Sequence, residues 1–366
     1  MRSHLFDMRV AILMLVMLSY FIMPSFAGEI ASLGDIIRGL KASALDATAL
    51  RQLGGISGFK EYRDNPVLKT GLPGSWDAGA LGSMTVVKVD NLYHLYYEAW
   101  GVRGDSAADY NTLQIGHAVS LDGIQWVKDP ANPVVPKGGP SDWDRDGTWD
   151  PFVICEGGLF KLWYGGGMDA HCDWGYAESA DGRTFIKKGQ ISHLGNVEDA
   201  HVVHDPVSHL YHMYYWDRRQ EPKGLFRATG LDEKSFDFAS ATPLTIAGEP
   251  PGMYKFSHVV VERGVWYMFY SDFLRPNCPA STVRLARSTD GVRWTSVHKH
   301  LMAGHDGELL RGGEGVYLLS YGPQGYFDAR NCDIRVAVYA GKLEGLVEEG
   351  KKGISPITGL ENKKKP

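Results

Sequence analysis

Cysteine is scarce in this chain, with four in 366 residues, and no Cys/His spacing suggests zinc. So few thiols fit an oxidising compartment without disulfides dominating the design. Basic blocks are missing too, apart from the last few residues, and the formal net charge is -5. Nucleic acid and anionic membrane surfaces are therefore not expected partners. Helical periodicity is lost after Tyr62, where turn residues begin to punctuate short apolar stretches.

What is present is hydrophobic and aromatic. Hydrophobic residues make up 44% of the chain and Trp, Tyr and Phe 11%, enough for a sizeable core. Aromatic faces suit sugar rings, but strand packing in an all-β protein is their commoner use. At the N-terminus, Arg2, His4 and Arg9 precede the apolar run from Val10 to Met23, and Pro24-Ser25-Phe26-Ala27 follows. This reads as a signal peptide over residues 1–27 with cleavage after Ala27, an uncleaved anchor being the alternative. The expected product is secreted or periplasmic, with no membrane contact after cleavage. Residues 28–65 read as a helical appendage, 66–346 as the main domain and 347–366 as a polar, Lys-rich tail.

That main domain is repetitive. An aromatic doublet ends Tyr93-His-Leu-Tyr-Tyr97, Phe160-Lys-Leu-Trp-Tyr164, Tyr211-His-Met-Tyr-Tyr215 and Trp266-Tyr-Met-Phe-Tyr270, and Tyr317-Leu-Leu-Ser-Tyr321 varies it. Intervals of roughly 50–70 residues separate these stretches, a propeller-like period. A third strand follows each, and three lead into the turns Ser120-Leu-Asp-Gly, Ser179-Ala-Asp-Gly and Ser288-Thr-Asp-Gly with an aromatic three residues on. Asp-Gly is a strong tight-turn signal. Four strands repeated five times predict an all-β, five-bladed β-propeller.

Each repeat opens on a short apolar strand preceded by polar or ionisable residues, as in Thr148-Trp-Asp-Pro-Phe-Val-Ile154. First strands line a propeller's channel, so Asp77, Asp150, Glu198, Asp199, His201, His258, Asp306 and Glu308 are expected at one mouth. Loops between second and third strands should share that face, adding Trp100, Asp272 and Arg275 as substrate-binding candidates, with Asp109, His171, Arg218, Arg219 and Arg330 behind them. Crowded carboxylates hold their protons unequally, which suits acid–base cleavage of a glycosidic bond. Any one of them could equally cap a strand or hold a central ion.

Over most of residues 70–345, these spaced motifs resemble the five-bladed propeller glycosidases of glycoside hydrolase family 43, the arabinosidase and xylosidase group. Asp77 in Trp-Asp-Ala-Gly, Asp150 in Trp-Asp-Pro-Phe and Glu198 in Glu-Asp-Ala-His match that group's catalytic carboxylates in order. The resemblance implies a base at Asp77, orientation and pKa tuning at Asp150 and a general acid at Glu198. Its usual Glu-Gly-Pro is Glu-Asp-Ala here, and the Trp-Met-Asn-Asp-Pro-Asn block of the related invertases is absent, which argues against a fructosidase. His258 is similar to a histidine placed near an axial ion, and reads equally as a core histidine. No cofactor is required; an axial divalent cation such as calcium is the one the resemblance allows.

The sequence thus predicts an exported glycoside hydrolase acting on oligo- or polysaccharides, with inversion. Its rivals are a non-catalytic carbohydrate-binding propeller and a polysaccharide lyase. Cys278 and Cys332, on neighbouring blades, are the expected disulfide, and Cys155 is expected to stay reduced.

Overall fold

The computed structural model describes residues 59–62, 64–103, 107–167, 172–219, 223–250, 254–271, 282–303, 305–311, 316–322 and 333–351. The expected signal peptide, most of the expected helical appendage, His171, Asp272, Arg275, Arg330, Cys278 and Cys332 lie outside the described residues.

The architecture is an all-β propeller arrangement. Strand β1 (Lys60–Glu61) comes first, and β2 (Ala80–Val89), β3 (Leu92–Arg103), β4 (Ala107–Ser120) and β5 (Val127–Lys128) form an antiparallel sheet. A second sheet holds β6 (Thr148–Glu156), β7 (Leu159–Gly166), β8 (Asp173–Ser179) and β9 (Ile186–Gln190). A third holds β10 (Val197–His204), β11 (Tyr211–Asp217), β12 (Gly224–Gly230) and β13 (Phe236–Pro243). The next is five-stranded. There β14 (Thr245–Ala247) lies parallel to the outer edge of β15 (Lys255–Glu262), β16 (Val265–Ser271), β17 (Thr282–Ser288) and β18 (Arg293–Ala303). In the last, β19 (His305–Arg311), β20 (Val316–Gly322) and β21 (Arg335–Ala340) are completed by β1. First strands touch in the cyclic order β2, β6, β10, β15, β19 and back to β2.

Four expectations need correcting. Four sheets have the predicted four strands, but the β14–β18 sheet has five, because the segment after β13 runs back beside β18. Residues 60–61 are not part of a helical appendage: they pair with Val338 and Ala337, so chain ahead of the repeats closes the last sheet. Glu98 to Thr112 is not a loop, since β3 and β4 continue outward as paired strands as far as Arg103 and Ala107. Helix α1 (Leu343–Lys351) also crosses the expected start of the tail, burying Leu343, Leu346 and Val347.

The repeated motifs have a packing reason. In each Ser-x-Asp-Gly turn the aspartate caps the backbone; Asp122 Oδ1 accepts the N–H groups of Ile124 and Gln125 at 2.8 Å each. Gly123 takes φ +77°, open to glycine without a Cβ penalty. The first aromatic of a doublet then reaches the following sheet's turn. Tyr96 donates to the Gly182 carbonyl at 2.7 Å, Trp163 to that of Glu233 at 2.7 Å and Tyr214 to that of Gly291 at 2.9 Å. Doublet and turn are thus two halves of one inter-sheet contact, between rings that are wholly buried.

Candidate functional site

Near its start every first strand is interrupted by a bulge, between Leu81 and Met84, Trp149 and Phe152, Glu198 and His201, Lys255 and Ser257, and His305 and Glu308. The partner tyrosines Tyr97, Tyr164, Tyr215, Tyr270 and Tyr321 provide a common frame. In that frame Asp150 is equivalent to Ser83, Asp199, Phe256 and Asp306. Two residues deeper lie Thr85, Phe152, His201, His258 and Glu308. Bulges re-aim side chains, and here Asp150 and Asp199 both line one cavity at the channel mouth with Ser83, His201, His258 and Glu308.

The deeper residues form a ring around the channel. Glu308 Oε1 accepts the Thr85 hydroxyl at 3.2 Å and the Val86 N–H at 3.1 Å, while Oε2 pairs with His258 Nδ1. The His258 ring meets His201 edge-on at 4.3 Å, and His201 lies 3.8 Å from the ring of Phe152. His201 Nε2 is 3.1 Å from the Val259 carbonyl, which makes it the donor. Burial, then the neighbouring His258, holds the His201 imidazole far below its ordinary pKa, so it is neutral at neutral pH.

His201, His258 and Glu308 each offer a ligand atom within 4.8 Å of the others. The donor set fits a divalent cation. Two imidazoles and one carboxylate are ordinary ligands for such an ion.

Above the ring, carboxylates position one another through backbone amides. Glu98, wholly buried on β3, accepts the Asp150 N–H at 2.9 Å. Asp150 Oδ2 accepts the Asp199 N–H at 3.1 Å. Asp150 and Asp199 have φ of +42° and +55°, left-handed values that aspartate tolerates better than most side chains.

Sequence reasoning brought Asp150, Asp199, His201, His258 and Glu308 to this mouth, and the fold brings them together. Asp77 lies elsewhere. It precedes β2, is buried, and binds the Lys128 ammonium at 2.5 Å and the Ser75 hydroxyl at 2.7 Å, away from the cavity lining. Glu198 falls one residue before the bulge, opposite Trp216, and pairs with Arg218, whose guanidinium stacks 5.7 Å above Trp216. Arg219 forks onto Asp217 at 2.6 and 3.0 Å. Trp100 is no surface platform: it sits inside β3 opposite Ala80 and is buried in the core beside Trp149 and Phe152. Asp109 and Asp306 lie on β4 and β19.

Ser83, Thr85, Phe152 and Glu98 were missed by the sequence reading. A signal for Glu98 was present, because it alone among the residues after the five tyrosines is acidic; Gly165, Trp216, Ser271 and Gly322 follow the others. Opposite it stands Gly82, where a Cβ would come within 2.1 Å of Glu98 Oε1. Cys155 and Cys172 are free thiols.

No family model and no curated protein matches the chain. Solved structures do. A putative glycoside hydrolase from Parabacteroides distasonis superposes with TM-score 0.61 at 18% identity, over 78% of this chain and 97% of its own. A thermostable family-43 glycoside hydrolase gives 0.53 at 15% identity, over 74% and 91%. An N-acetylgalactosamine deacetylase from F. plautii gives 0.59 at 12% identity, over 79% and 97%. At these identities the likeness is one of fold, the propeller shared by glycoside hydrolases and at least one deacetylase.

Proposed function

We propose that this chain is an exported glycoside hydrolase, a five-bladed propeller whose five-stranded sheet is its fourth blade. In this reading, oligo- or polysaccharide is cleaved at the channel mouth by Asp150 and Asp199. One observation carries it: two aspartates occupy equivalent bulge positions on adjacent first strands, both in left-handed backbone and both lining one cavity. Asp150, whose carboxylate accepts the Asp199 amide, takes the role of base. Asp199, the second aspartate of the cavity, takes that of acid. Inversion is the expected outcome, with water held between base and anomeric carbon. Asp77 and Glu198, the sequence-derived base and acid, are held by Lys128 and Arg218 instead and take no part in this cleavage.

His201, His258 and Glu308 support a second reading, the metal-assisted hydrolysis of an acetylated sugar. A divalent cation there would polarise the scissile carbonyl or activate water. Asp150 would then accept the water's proton, and Phe152 would close one side of the pocket.

The deciding experiment is a screen of the purified protein against aryl glycosides, oligosaccharides and N-acetylated sugars, with and without chelator. Glycosidase activity should fall by about 10²–10⁴ in Asp150→Asn and in Asp199→Asn, with circular dichroism unchanged. Acetate release abolished by chelator, without glycoside cleavage, would move the assignment to the second reading. Binding without any turnover would leave a carbohydrate-binding propeller.

A further inference from the structure

A second cavity, of about 410 Å³, opens over the β6–β9 sheet. One wall is Trp143, Arg145 and Asp146, on the segment entering β6; the other is His193 and Gly195, on the segment entering β10. Those strands carry Asp150 and Asp199, each four residues beyond its wall. Four extended residues span about 13 Å, so the groove and the mouth share a face and lie within reach of one oligosaccharide.

Both walls are preformed. Indole carbons of Trp143 sit where side chains at Gly166 and Gly175 would be, 2.4 Å from a Cβ built at either, so those two glycines seat the ring. Tyr164 tilts against it at 5.6 Å, and Lys187 binds the adjacent Asp144 at 2.5 Å. Across the groove, buried Asp173 accepts the Gln190 amide at 2.9 Å and the Gly195 N–H at 3.4 Å, fixing the far wall. What faces the space is a half-buried indole, the loosely paired Arg145 and Asp146 at 3.8 Å, a primary amide and the exposed imidazole of His193. A hydrophobic ring face among donors and acceptors of both signs suits a neutral polyhydroxylated ring; one sign of charge would have suited an anion.

We propose that this groove is a carbohydrate subsite that holds a distal sugar of a chain whose near end occupies the mouth. The identity of the mouth as a sugar site rests on the function proposed above; the groove's own binding does not require that the mouth be catalytic. Calorimetric titration of the Asp150→Asn protein with arabinan, xylan, mannan and fructan oligosaccharides of two to six units tests it. Affinity should rise with length for at least one series. Trp143→Ala should weaken the longest member at least tenfold and change the shortest less than twofold. Because Trp143 also packs on the second sheet, the double variant Arg145→Ala/His193→Ala, at two exposed positions, should show the same length-selective loss with unchanged thermal stability. Uniform losses at all lengths, no length dependence, or no binding by any series would overturn the proposal. Length-selective binding in a protein whose wild type cleaves nothing would retain the groove and remove only the catalytic reading.

Discussion

His94 should make this propeller acid-sensitive at a pH well above the range where its carboxylates titrate. Its imidazole lies between β4 and the second sheet, 3.1 Å from His117 Nε2 and edge-on to Phe160 at 5.1 Å, and is buried. Burial, then the charge of His117, lowers its pKa from 6.5 to about 3. His212, buried against Trp266 and close to Arg227, is lowered from 6.5 to about 4. A histidine depressed in the folded state stays neutral while its unfolded counterpart protonates. Stability is therefore full above about pH 6.5 and falls as pH drops toward the folded value. Between neutrality and about pH 4.5, the His94 and His212 shifts each correspond to a loss of about 2.5 kcal/mol. Together they are a large part of an ordinary domain's 5–15 kcal/mol. Asp181 does not contribute in this window. Burial raises its pKa, but the N–H groups of Thr184 and Arg183 outweigh that and hold it at about 2, so its share is lost only below about pH 4. Urea unfolding of the parent and His94→Gln at pH 7 and 4.5 is the assay. The variant starts less stable, having lost a buried hydrogen bond, but its drop between the two pH values should be smaller by about 2.5 kcal/mol. Equal drops in both proteins would refute the reasoning.

Asp77→Asn should keep kcat within a few-fold and lower stability by about 1 kcal/mol through the lost Lys128 pair, one-quarter exposed at the lysine; a hundredfold loss of kcat would return the base to Asp77. Arg284→Met should cost about 3–5 kcal/mol in denaturant unfolding, because it strands the buried Glu249 carboxylate that Arg284 meets at 2.8 Å. Adding Glu249→Gln to that variant should recover part of the loss. At Asp199, φ +55° favours glycine, so Asp199→Gly should be more stable than Asp199→Ala by about 1 kcal/mol in thermal unfolding, both being inactive.

The strand framework was legible because the motifs that mark it are local. An aromatic doublet, an Asp-Gly turn and an apolar run each fit within a few residues, and their period revealed the repeat. Closure by Lys60–Glu61 was not, since two residues paired with Val338 and Ala337 carry no pattern of their own. The site was legible in its neighbourhood and blurred in its register. Reading acidic residues ahead of apolar runs grouped Asp77 and Glu198 with Asp150, whereas the bulges select Asp199 and Ser83. A bulge adds a residue without a composition mark, so counting from a motif cannot decide which of two adjacent acids turns inward. Trp100 was misplaced for a related reason: β3 runs past its doublet, and an indole assigned to a loop belongs to the core.

The left-handed aspartates make the stronger case for function at the mouth. Glycine would adopt φ +42° or +55° without strain, while a residue with a Cβ carries a cost of about 1 kcal/mol or more. A purely structural bulge would gain by using glycine at both positions. Instead the side chains are retained and joined in series. Glu98 on the first sheet takes the amide of Asp150 on the second, and Asp150 takes the amide of Asp199 on the third. Each carboxylate thus fixes the backbone that aims the next one, across two sheet boundaries and beside the His201, His258 and Glu308 cluster. Simple strand capping would not require the acids to be coupled from sheet to sheet. A site that must hold two carboxyl groups at a set separation around a sugar would.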